Sequence, residues 1–416
     1  MAQRVLVGRT GRVLAAARRA LVATPVHVLV AIACGASAVA ALAMAGLSDQ
    51  YAHYLWGLLA AAGYVVAAVT ALRTRRALTG VRVAAAASVL LPAVWLVVAH
   101  SAQPEVGVVE RSARTLVETG SPYLAHPLGV DDVNPYLPLM SLFGLPRLAL
   151  PDNGLGDARW WFLLAFVACV VAADRLLRHD RRTEAALWAL LAFPVIALTA
   201  ATGGHDLPVL GLLCLALALA AHGHAARAGL ALGAACAMKA AAWPAFAVVL
   251  ALLVVRYGWP RALRLAAVSA AVVGATVAPV LAGPTARTAV AQVAGFPMGA
   301  GSIASPATAP TPGVLLATGG PAARVVGLVL LGLVAAAFAV RLVVRPPHTT
   351  AAAAAFLAVA LTVAALVLPT SRAGYALYPA VLLWLALRAR TERDETGLPT
   401  ERQLVTAAAG TGETTP

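Results

Sequence analysis

Three carboxylates gather in one short stretch of a chain that is otherwise apolar. Glu105, Glu110 and Glu118 fall within fourteen residues, although the 416-residue chain has only 17 acidic residues and is 61% hydrophobic. Glu105 directly follows Pro104, and both are common in the first turn of a helix. The same position favours the ionised carboxylate, which is the form that a general base needs. Glu105 is therefore either an ordinary helix-start residue or a catalytic base.

The surrounding stretch has the periodicity of an amphipathic helix. One predicted face carries Val106, Val109, Ala113, Leu116 and Val117. Glu110 precedes Arg114 by four positions, which predicts a surface ion pair between them. Glu105 and Glu110 are separated by about 140° around a helix, so we do not expect them to share one site.

Other residues with chemical potential lie at the predicted ends of apolar segments. His205 and Asp206 occur in TGGHDLPVLG, Lys239 is the only lysine in the chain, and Arg372 occurs in LPTSRAGYALYP. Each has an ordinary explanation, because Asp206 could cap a helix and a long cation could reach the membrane surface. Ionisable groups at a membrane edge are nevertheless functional candidates. Together they predict an acid, an imidazole and cations on one side of the membrane.

The composition is that of a membrane protein. Only 12% of the residues are charged and the mean hydropathy is +0.84. The net charge of +14 could indicate nucleic-acid binding, but the arginines lie at the ends of apolar runs. Topology and contact with anionic lipids explain them better, so we expect no nucleic-acid partner. Cysteines have no metal-binding spacing, which predicts free thiols and no zinc site.

The apolar runs predict an all-α protein with about twelve transmembrane helices. Basic residues recur in alternate breaks between them, which places both termini in the cytoplasm. The predicted spans are 27–47, 54–72, 83–100, 160–174, 185–202, 207–221, 228–238, 240–255, 265–282, 323–340, 350–368 and 374–388.

One block tests this count. Residues 228–255 are apolar except for Lys239, and arginines lie at both ends of the block. Both ends are therefore expected inside, so the block must cross the membrane twice and turn near Lys239. The eleven residues before Lys239 rise only about 16 Å as a helix, which is shorter than the hydrocarbon core. We therefore expect a short helix that stops within the membrane.

This topology places two long loops, 101–159 and 283–322, on the outer face. Residues 136–150 are apolar but contain prolines, which predicts an interfacial or re-entrant segment. The 283–322 loop is a lid or, slightly favoured, a flexible connection. Residues 1–390 are predicted to form one polytopic domain, and 391–416 a disordered cytoplasmic tail. Asp131 and Asp132 are a weak signal for cation binding.

The ordered set of segments resembles the glycosyltransferase family 87 type of GT-C glycosyltransferases, which includes polyprenol-phosphate-mannose-dependent mannosyltransferases of actinobacterial envelopes. The first outer loop of that family begins with an acid, followed by apolar residues and a tyrosine, and Glu105 and Tyr123 fit this frame. The later segments fit in order, from about residue 100 to 390: NPYLPLMSLFGLP, TGGHDLPVLGLLCLALAL, AGLALGAACAMKAAAWPAF and SRAGYALYPAVLL. Glu105 stands where the family usually has aspartate.

The resemblance implies an inverting sugar transfer at the outer face of the plasma membrane. Glu105 would be the general base, and a polyprenyl-phosphate sugar, mannose or a related hexose, would be the donor for a lipid or glycan acceptor. Residues expected at the donor phosphate or sugar are His205, Asp206, Lys239, Arg372 and Tyr375. Residues expected at the acceptor or sugar are Glu110, Tyr123, Asn134 and Tyr136. The resemblance implies no cofactor and no metal site, although the sequence leaves a divalent cation open.

Two other classes of function remain open at this point. A polytopic protein with charges at the membrane edge could be a transporter or flippase for a lipid-linked or anionic solute. It could also be an inactive scaffold of envelope assembly. The long outer loop with its carboxylates favours an enzyme, because transporters more often carry such charges near the membrane midplane.

Overall fold

The computed structural model describes residues 23–151, 153–177, 183–300, 303–307 and 309–390. Its regular elements are helices, which confirms the all-α prediction. The predicted tail 391–416 lies outside the described residues. The long helices are α1 Val26–Leu47, α2 Tyr51–Thr74, α3 Ala77–Val98, α4 Pro104–Thr119, α5 Ala158–Leu177, α6 Thr183–Leu191, α7 Pro194–Thr202, α8 Asp206–Ala221, α9 Ala225–Met238, α10 Trp243–Tyr257, α11 Trp259–Leu281, α12 Pro321–Val344, α13 Thr350–Val367 and α14 Leu377–Arg390.

Eleven of the twelve predicted spans each overlap one helix and 185–202 overlaps two, α6 and α7, but the count of twelve crossings is not confirmed. Eight helices of the described chain are long and apolar enough to cross a membrane, or nine if the bent pair α6 and α7 is one span. Three shorter apolar helices are 206–221, 225–238 and 373–389. A 16-residue helix rises only about 24 Å, whereas the hydrocarbon core is about 30 Å thick.

The chain divides into two compact units. Among the described residues, unit 1 comprises those within 23–134, 140–165 and 183–207, and unit 2 comprises those within 135–139, 166–177 and 208–390. The candidate site residues fall in both. Glu105, Glu110, Tyr123, Asn134, His205 and Asp206 belong to unit 1, whereas Tyr136, Lys239, Arg372 and Tyr375 belong to unit 2.

In unit 1, two aromatic side chains satisfy backbone carbonyls at breaks in helices. Pro92 has no N–H to donate to the Ser88 carbonyl, and a π-turn interrupts α3 at Ala86–Leu90. The Trp56 indole donates to that carbonyl at 2.9 Å. The Tyr64 hydroxyl likewise donates to the Ala192 carbonyl at 2.7 Å, at the 71° bend before Pro194. A carbonyl left unsatisfied in an apolar core would be costly.

In unit 2, α9 and α11 approach closely through small residues. A Cβ on Gly229 would lie 2.8 Å from the Leu265 carbonyl oxygen, and one on Gly233 would lie 2.9 Å from the Ser269 Cα. The Ser269 hydroxyl donates to the Gly229 carbonyl at 3.0 Å. This is the pattern by which membrane helices associate, since glycine lets backbones meet and a hydroxyl adds a hydrogen bond. The packing fixes α9, the helix that ends next to Lys239.

Two of the loop predictions can be compared with the structure. Residues 138–149 form a 3₁₀ segment, Pro138–Gly144, and one short helix, Leu145–Ala149. These elements are too short to span a bilayer, in agreement with a non-crossing segment. The 283–322 loop contains the short helices Ala286–Val290 and Pro312–Ala317. It is therefore more structured than a plain flexible connection.

Candidate active site

Helix α4 begins as predicted, with Pro104 at its first position and Glu105 in its first turn. It ends at Gly120, which adopts the left-handed conformation at φ +77°. Glu105 is 6% exposed, and Val106, Val109 and Ala113 are buried on the predicted face. The last residue of that face was predicted wrongly, because Val117 is 66% exposed. The apolar face thus covers only the first half of the helix, which is the half that carries Glu105.

The predicted TGGHD segment lies against the start of α4. The Gln103 N–H donates to the Thr202 carbonyl at 3.0 Å. A Cβ on Gly203 would lie only 2.2 Å from Cγ2 of Val106. The residues on both sides of Glu105 are therefore fixed by the end of α7, two positions before His205.

His205 and Asp206 are themselves buried, each about 8% exposed. The His205 Nε2 atom lies 3.6 Å from Oδ2 of Asp206, and α8 begins at Asp206. The structure therefore brings this imidazole and carboxylate together. A carboxylate beside a histidine can orient the ring and stabilise its charged form.

A buried ion pair that sequence reasoning missed secures the same region. Arg159, 2% exposed, donates to both carboxylate oxygens of Asp157, from Nε at 2.8 Å and from Nη2 at 3.0 Å. Its guanidinium also donates to the carbonyls of Ser101 at 3.0 Å and Ala201 at 3.4 Å. It therefore ties together the chain before α4 and the end of α7. The only sequence signal was a D-x-R pattern at the start of an apolar run.

A second unpredicted connection reaches the residue before Pro104. The Gln103 side-chain amide lies 2.7 Å from His53 Nε2, and Ser48 Oγ lies 2.8 Å from His53 Nδ1. Hydrogen bonds thus run from the α1–α2 turn to the start of α4. No pattern in the sequence links residues 50 positions apart, so periodicity could not have found this pair.

Glu110 has different partners from the predicted one. It pairs with Arg147, whose Nε lies 3.2 Å from Oε2, rather than with Arg114. Its Oε1 accepts the Ala158 backbone N–H at 3.1 Å, at the start of α5. The i,i+4 prediction was wrong because the carboxylate points inward, toward a helix N-terminus that a negative charge stabilises. The proposed role of Glu110 at the acceptor stays a prediction.

Tyr123 and Asn134 also lie in unit 1. Tyr123 is 2% exposed, and burial raises the pKa of its phenol, so the hydroxyl stays protonated and able to donate. Asn134 is 4% exposed and donates to the Pro122 carbonyl at 3.1 Å. Asn134 also lines a shallow depression beside Arg111, Asp131 and Asp132.

The two aspartates of that depression have local backbone roles. The Asp132 carboxylate accepts the backbone N–H groups of Leu128 at 2.9 Å and Gly129 at 3.3 Å. The Asp131 carbonyl accepts from the Arg111 guanidinium at 2.6 Å. Within the part of the chain that the structure describes, no three His, Cys, Asp or Glu residues group as metal ligands.

In unit 2, the structure brings Lys239 together with two of the predicted tyrosines. Helix α9 ends at Met238, and Lys239 takes an extended conformation with φ −153°, as the predicted break requires. The Lys239 Nζ atom lies 5.8 Å from the ring centre of Tyr136 and 5.5 Å from that of Tyr375. Both distances are within the range of cation–π attraction. Leu137 N–H donates to the Met238 carbonyl at 2.9 Å, which holds Tyr136 beside the cation.

Arg372 lies three residues before Tyr375, immediately ahead of a short 3₁₀ turn. The Arg372 carbonyl accepts the Tyr375 N–H at 3.0 Å, which fixes the turn that presents the tyrosine. The carbonyl of the preceding Ser371 accepts the Ala309 N–H at 3.0 Å. The C-terminal part of the 283–322 loop is therefore held against the segment that contains Arg372.

The all-helical fold, the apolar spans and the buried ionisable side chains define a membrane protein with a candidate active site. Residues 134–369 match the family described as Glycosyltransferase family 87. Because this match covers more than half of the 416 residues, the chain belongs to glycosyltransferase family 87 and is a membrane glycosyltransferase. The comparisons with curated proteins and with solved structures gave no match.

The matched region divides the candidate residues. It contains Asn134, Tyr136, His205, Asp206 and Lys239. It does not contain Glu105, Glu110, Tyr123, Arg372 or Tyr375, so their roles depend on the geometry and on the resemblance of individual segments.

Gly203 offers a test of the contact that fixes the start of α4. Gly203→Ala is expected to destabilise the protein by about 2–4 kcal/mol, because φ is +102° and the new Cβ would clash with Val106. The melting temperature in detergent measures this effect. Gly274→Ala is the matched control, since nothing lies within 4 Å of its added Cβ and alanine favours a helix. Equal melting temperatures for the two variants would contradict the contact.

Proposed function

We propose that this glycosyltransferase transfers mannose or a related hexose from a polyprenyl-phosphate sugar to a lipid or glycan acceptor, at the outer face of the plasma membrane and with inversion. The observation that carries the proposal is the buried Glu105 carboxylate in the first turn of α4, with Gln103 and Val106 held against Thr202 and Gly203. A carboxylate on a backbone segment fixed in this way suits a general base.

The chemical step follows from this role. Glu105 accepts the proton of the acceptor hydroxyl while the hydroxyl oxygen forms a bond to the anomeric carbon. The bond between that carbon and the phosphate oxygen breaks, and its electron pair leaves on polyprenyl phosphate. Attack from the face opposite the leaving group inverts the configuration. The base has to accept only one proton, so one carboxylate is sufficient.

The leaving phosphate gains negative charge as the bond breaks, and a cation aimed at it lowers the barrier. Lys239 is the proposed phosphate-binding cation, with Arg372 as a second. The two tyrosine rings near Lys239 support this role, because cation–π attraction helps to orient the ammonium. Tyr136 and Tyr375 also offer hydroxyl groups and ring faces to a sugar.

The remaining candidates have supporting roles in the proposal. His205, oriented by Asp206, donates a hydrogen bond to the sugar or phosphate. Asn134, Tyr123 and Glu110 contribute contacts to sugar or acceptor, and Glu110 also accepts the Ala158 N–H at the start of α5. The chemistry needs no cofactor, because the energy of transfer resides in the sugar–phosphate bond of the donor.

The proposal is tested with the purified wild-type protein and extracted envelope lipids as acceptor. Radiolabelled polyprenyl-phosphate mannose is expected to give a labelled lipid or glycan product, whereas a nucleotide-linked mannose is expected to give none. Product formation from the nucleotide sugar alone would overturn the proposed donor. A product only with another polyprenyl-phosphate hexose would keep the donor class and change the sugar.

A further inference from the structure

The turn between α10 and α11 is expected at a membrane surface, because it joins two candidate membrane spans. Tyr257 is the last residue of the candidate span Ala240–Tyr257, and Trp259 is the first residue of the candidate span Trp259–Leu281. Trp259 is 62% exposed, and exposed tryptophans at span ends typically lie among lipid headgroups. Any ligand of this turn is therefore at the level of the lipid phosphates.

Two arginines of this turn are arranged around the Tyr257 ring. The guanidinium carbon of Arg261 lies 4.6 Å from the ring centre, and that of Arg256 lies 5.6 Å from it. The Tyr257 hydroxyl donates to the Ala221 carbonyl at 2.5 Å, which joins this turn to the one between α8 and α9. Stacking on a ring that is itself anchored reduces the freedom of both guanidinium groups.

Gly223 leaves the space in which the Arg261 guanidinium lies. A Cβ at this position would lie 2.6 Å from Nη1 of Arg261 and 3.2 Å from the Tyr257 ring, and Gly223 has φ +70°. The guanidinium therefore occupies the space that any other residue would fill. On both sides of Gly223, the rings of His222 and His224 stack at 6.4 Å with an interplanar angle of 15°.

The arginines have no carboxylate nearby in the sequence. Between Asp206 and Glu392 the chain contains no aspartate or glutamate. Arg256 and Arg261 are exposed, and among the described residues their interactions are the two ring contacts, without an ion pair. Their N–H donors are thus held in place and available to an external anion.

We propose that the guanidinium cluster, formed by Arg256, Tyr257, Arg261 and Gly223, binds the phosphate of an anionic phospholipid headgroup. Guanidinium groups bind phosphate oxygens in a bidentate manner, and two of them are prearranged here at the depth of the headgroups. Adjacent Trp259 favours a lipid over a free phosphate, because it places the cluster in the interface. The positive-inside pattern predicts that this turn lies on the inner face. The lipid site is therefore separate from the proposed site of sugar transfer and does not depend on it.

The test uses the full-length protein in detergent and native mass spectrometry with added phosphatidylglycerol or phosphatidylcholine. Wild type is expected to retain phosphatidylglycerol preferentially. The double variant Arg256→Gln/Arg261→Gln is expected to lose about 30-fold in phosphatidylglycerol affinity, because each of the two arginines contributes separately to the attraction of an anionic headgroup. The matched control Arg341→Gln/Arg345→Gln removes two exposed arginines at the end of α12 and is expected to keep the preference.

Each of the following outcomes would overturn the proposal. An equal loss in both double variants would indicate general charge attraction, and an unchanged affinity in Arg256→Gln/Arg261→Gln would remove the cluster from binding. Displacement of the lipid by millimolar inorganic phosphate would indicate a site for a free anion. If the double variant does not fold, Arg261→Lys keeps the charge but loses the planar fork, and a preference as strong as wild type there would also contradict the proposal.

Discussion

Glu105→Gln is expected to abolish detectable sugar transfer, with a fall in kcat of about 10²–10⁴-fold. The amide keeps the size and the hydrogen-bonding capacity of the side chain but cannot accept the acceptor proton. Because Glu105 is buried and its neighbours are fixed by Thr202 and Gly203, the isosteric change is expected to leave the helix start intact. Transfer of radiolabel from polyprenyl-phosphate mannose measures the effect, and the melting temperature in detergent verifies folding.

The same helix provides the control. Glu118 lies near the other end of α4 and is exposed, so Glu118→Gln removes an equal charge from the helix without touching the proposed base. It is expected to transfer sugar at the wild-type rate. Sugar transfer retained in Glu105→Gln would show that Glu105 is not the base. The other buried carboxylates of unit 1, Asp157 and Asp206, would then be the candidates for that role.

A shorter carboxylate gives a finer test of the same residue. The family that this segment resembles usually has aspartate at this position, so Glu105→Asp keeps a carboxylate and introduces the residue type usual there. This variant is expected to keep measurable sugar transfer. The rate is expected to be lower than that of the wild type, because the side chain is one methylene shorter and its carboxylate lies farther from the acceptor hydroxyl. If Glu105→Asp were as inactive as Glu105→Gln, the exact placement of the carboxylate would be required for transfer in addition to its ability to accept a proton.

Lys239→Ala is expected to lower kcat/KM for the lipid-phosphate donor by about 10²–10³-fold, which is the usual effect of removing one group that stabilises developing charge. The acceptor KM is expected to change little, because Lys239 is proposed to contact only the leaving phosphate. Steady-state kinetics with donor and acceptor varied in turn separate the two effects. The variant would also remove the cation–π contacts of Tyr136 and Tyr375.

Two further variants separate charge from packing. Lys239→Arg restores a cation and is expected to recover part of the donor kcat/KM, since a guanidinium also binds phosphate. Arg287→Ala removes an exposed cation from the 283–322 loop and is expected to leave donor use unchanged. An unchanged donor dependence in Lys239→Ala, or a similar loss in Arg287→Ala, would remove Lys239 from the proposed phosphate site.

Several local features were predictable because they depend on neighbouring residues. Pro104 and Glu105 predicted the start of α4, and Lys239 within an apolar block predicted the end of α9. The twelve apolar runs each predicted a helix. Hydropathy was insufficient for the number of crossings, because it measures how apolar a segment is and not whether the helix is long enough to span the bilayer.

The sequence by itself determined an all-helical membrane protein, the positions of its helices and the start of α4 at Pro104, because periodicity and helix-start chemistry are local. Only the tertiary structure decided which distant groups meet. It gave Glu110 the partner Arg147 in place of Arg114, and it brought Lys239 near the rings of Tyr136 and Tyr375. Side-chain partners from separate helices depend on how those helices pack, and helix periodicity carries no information about that.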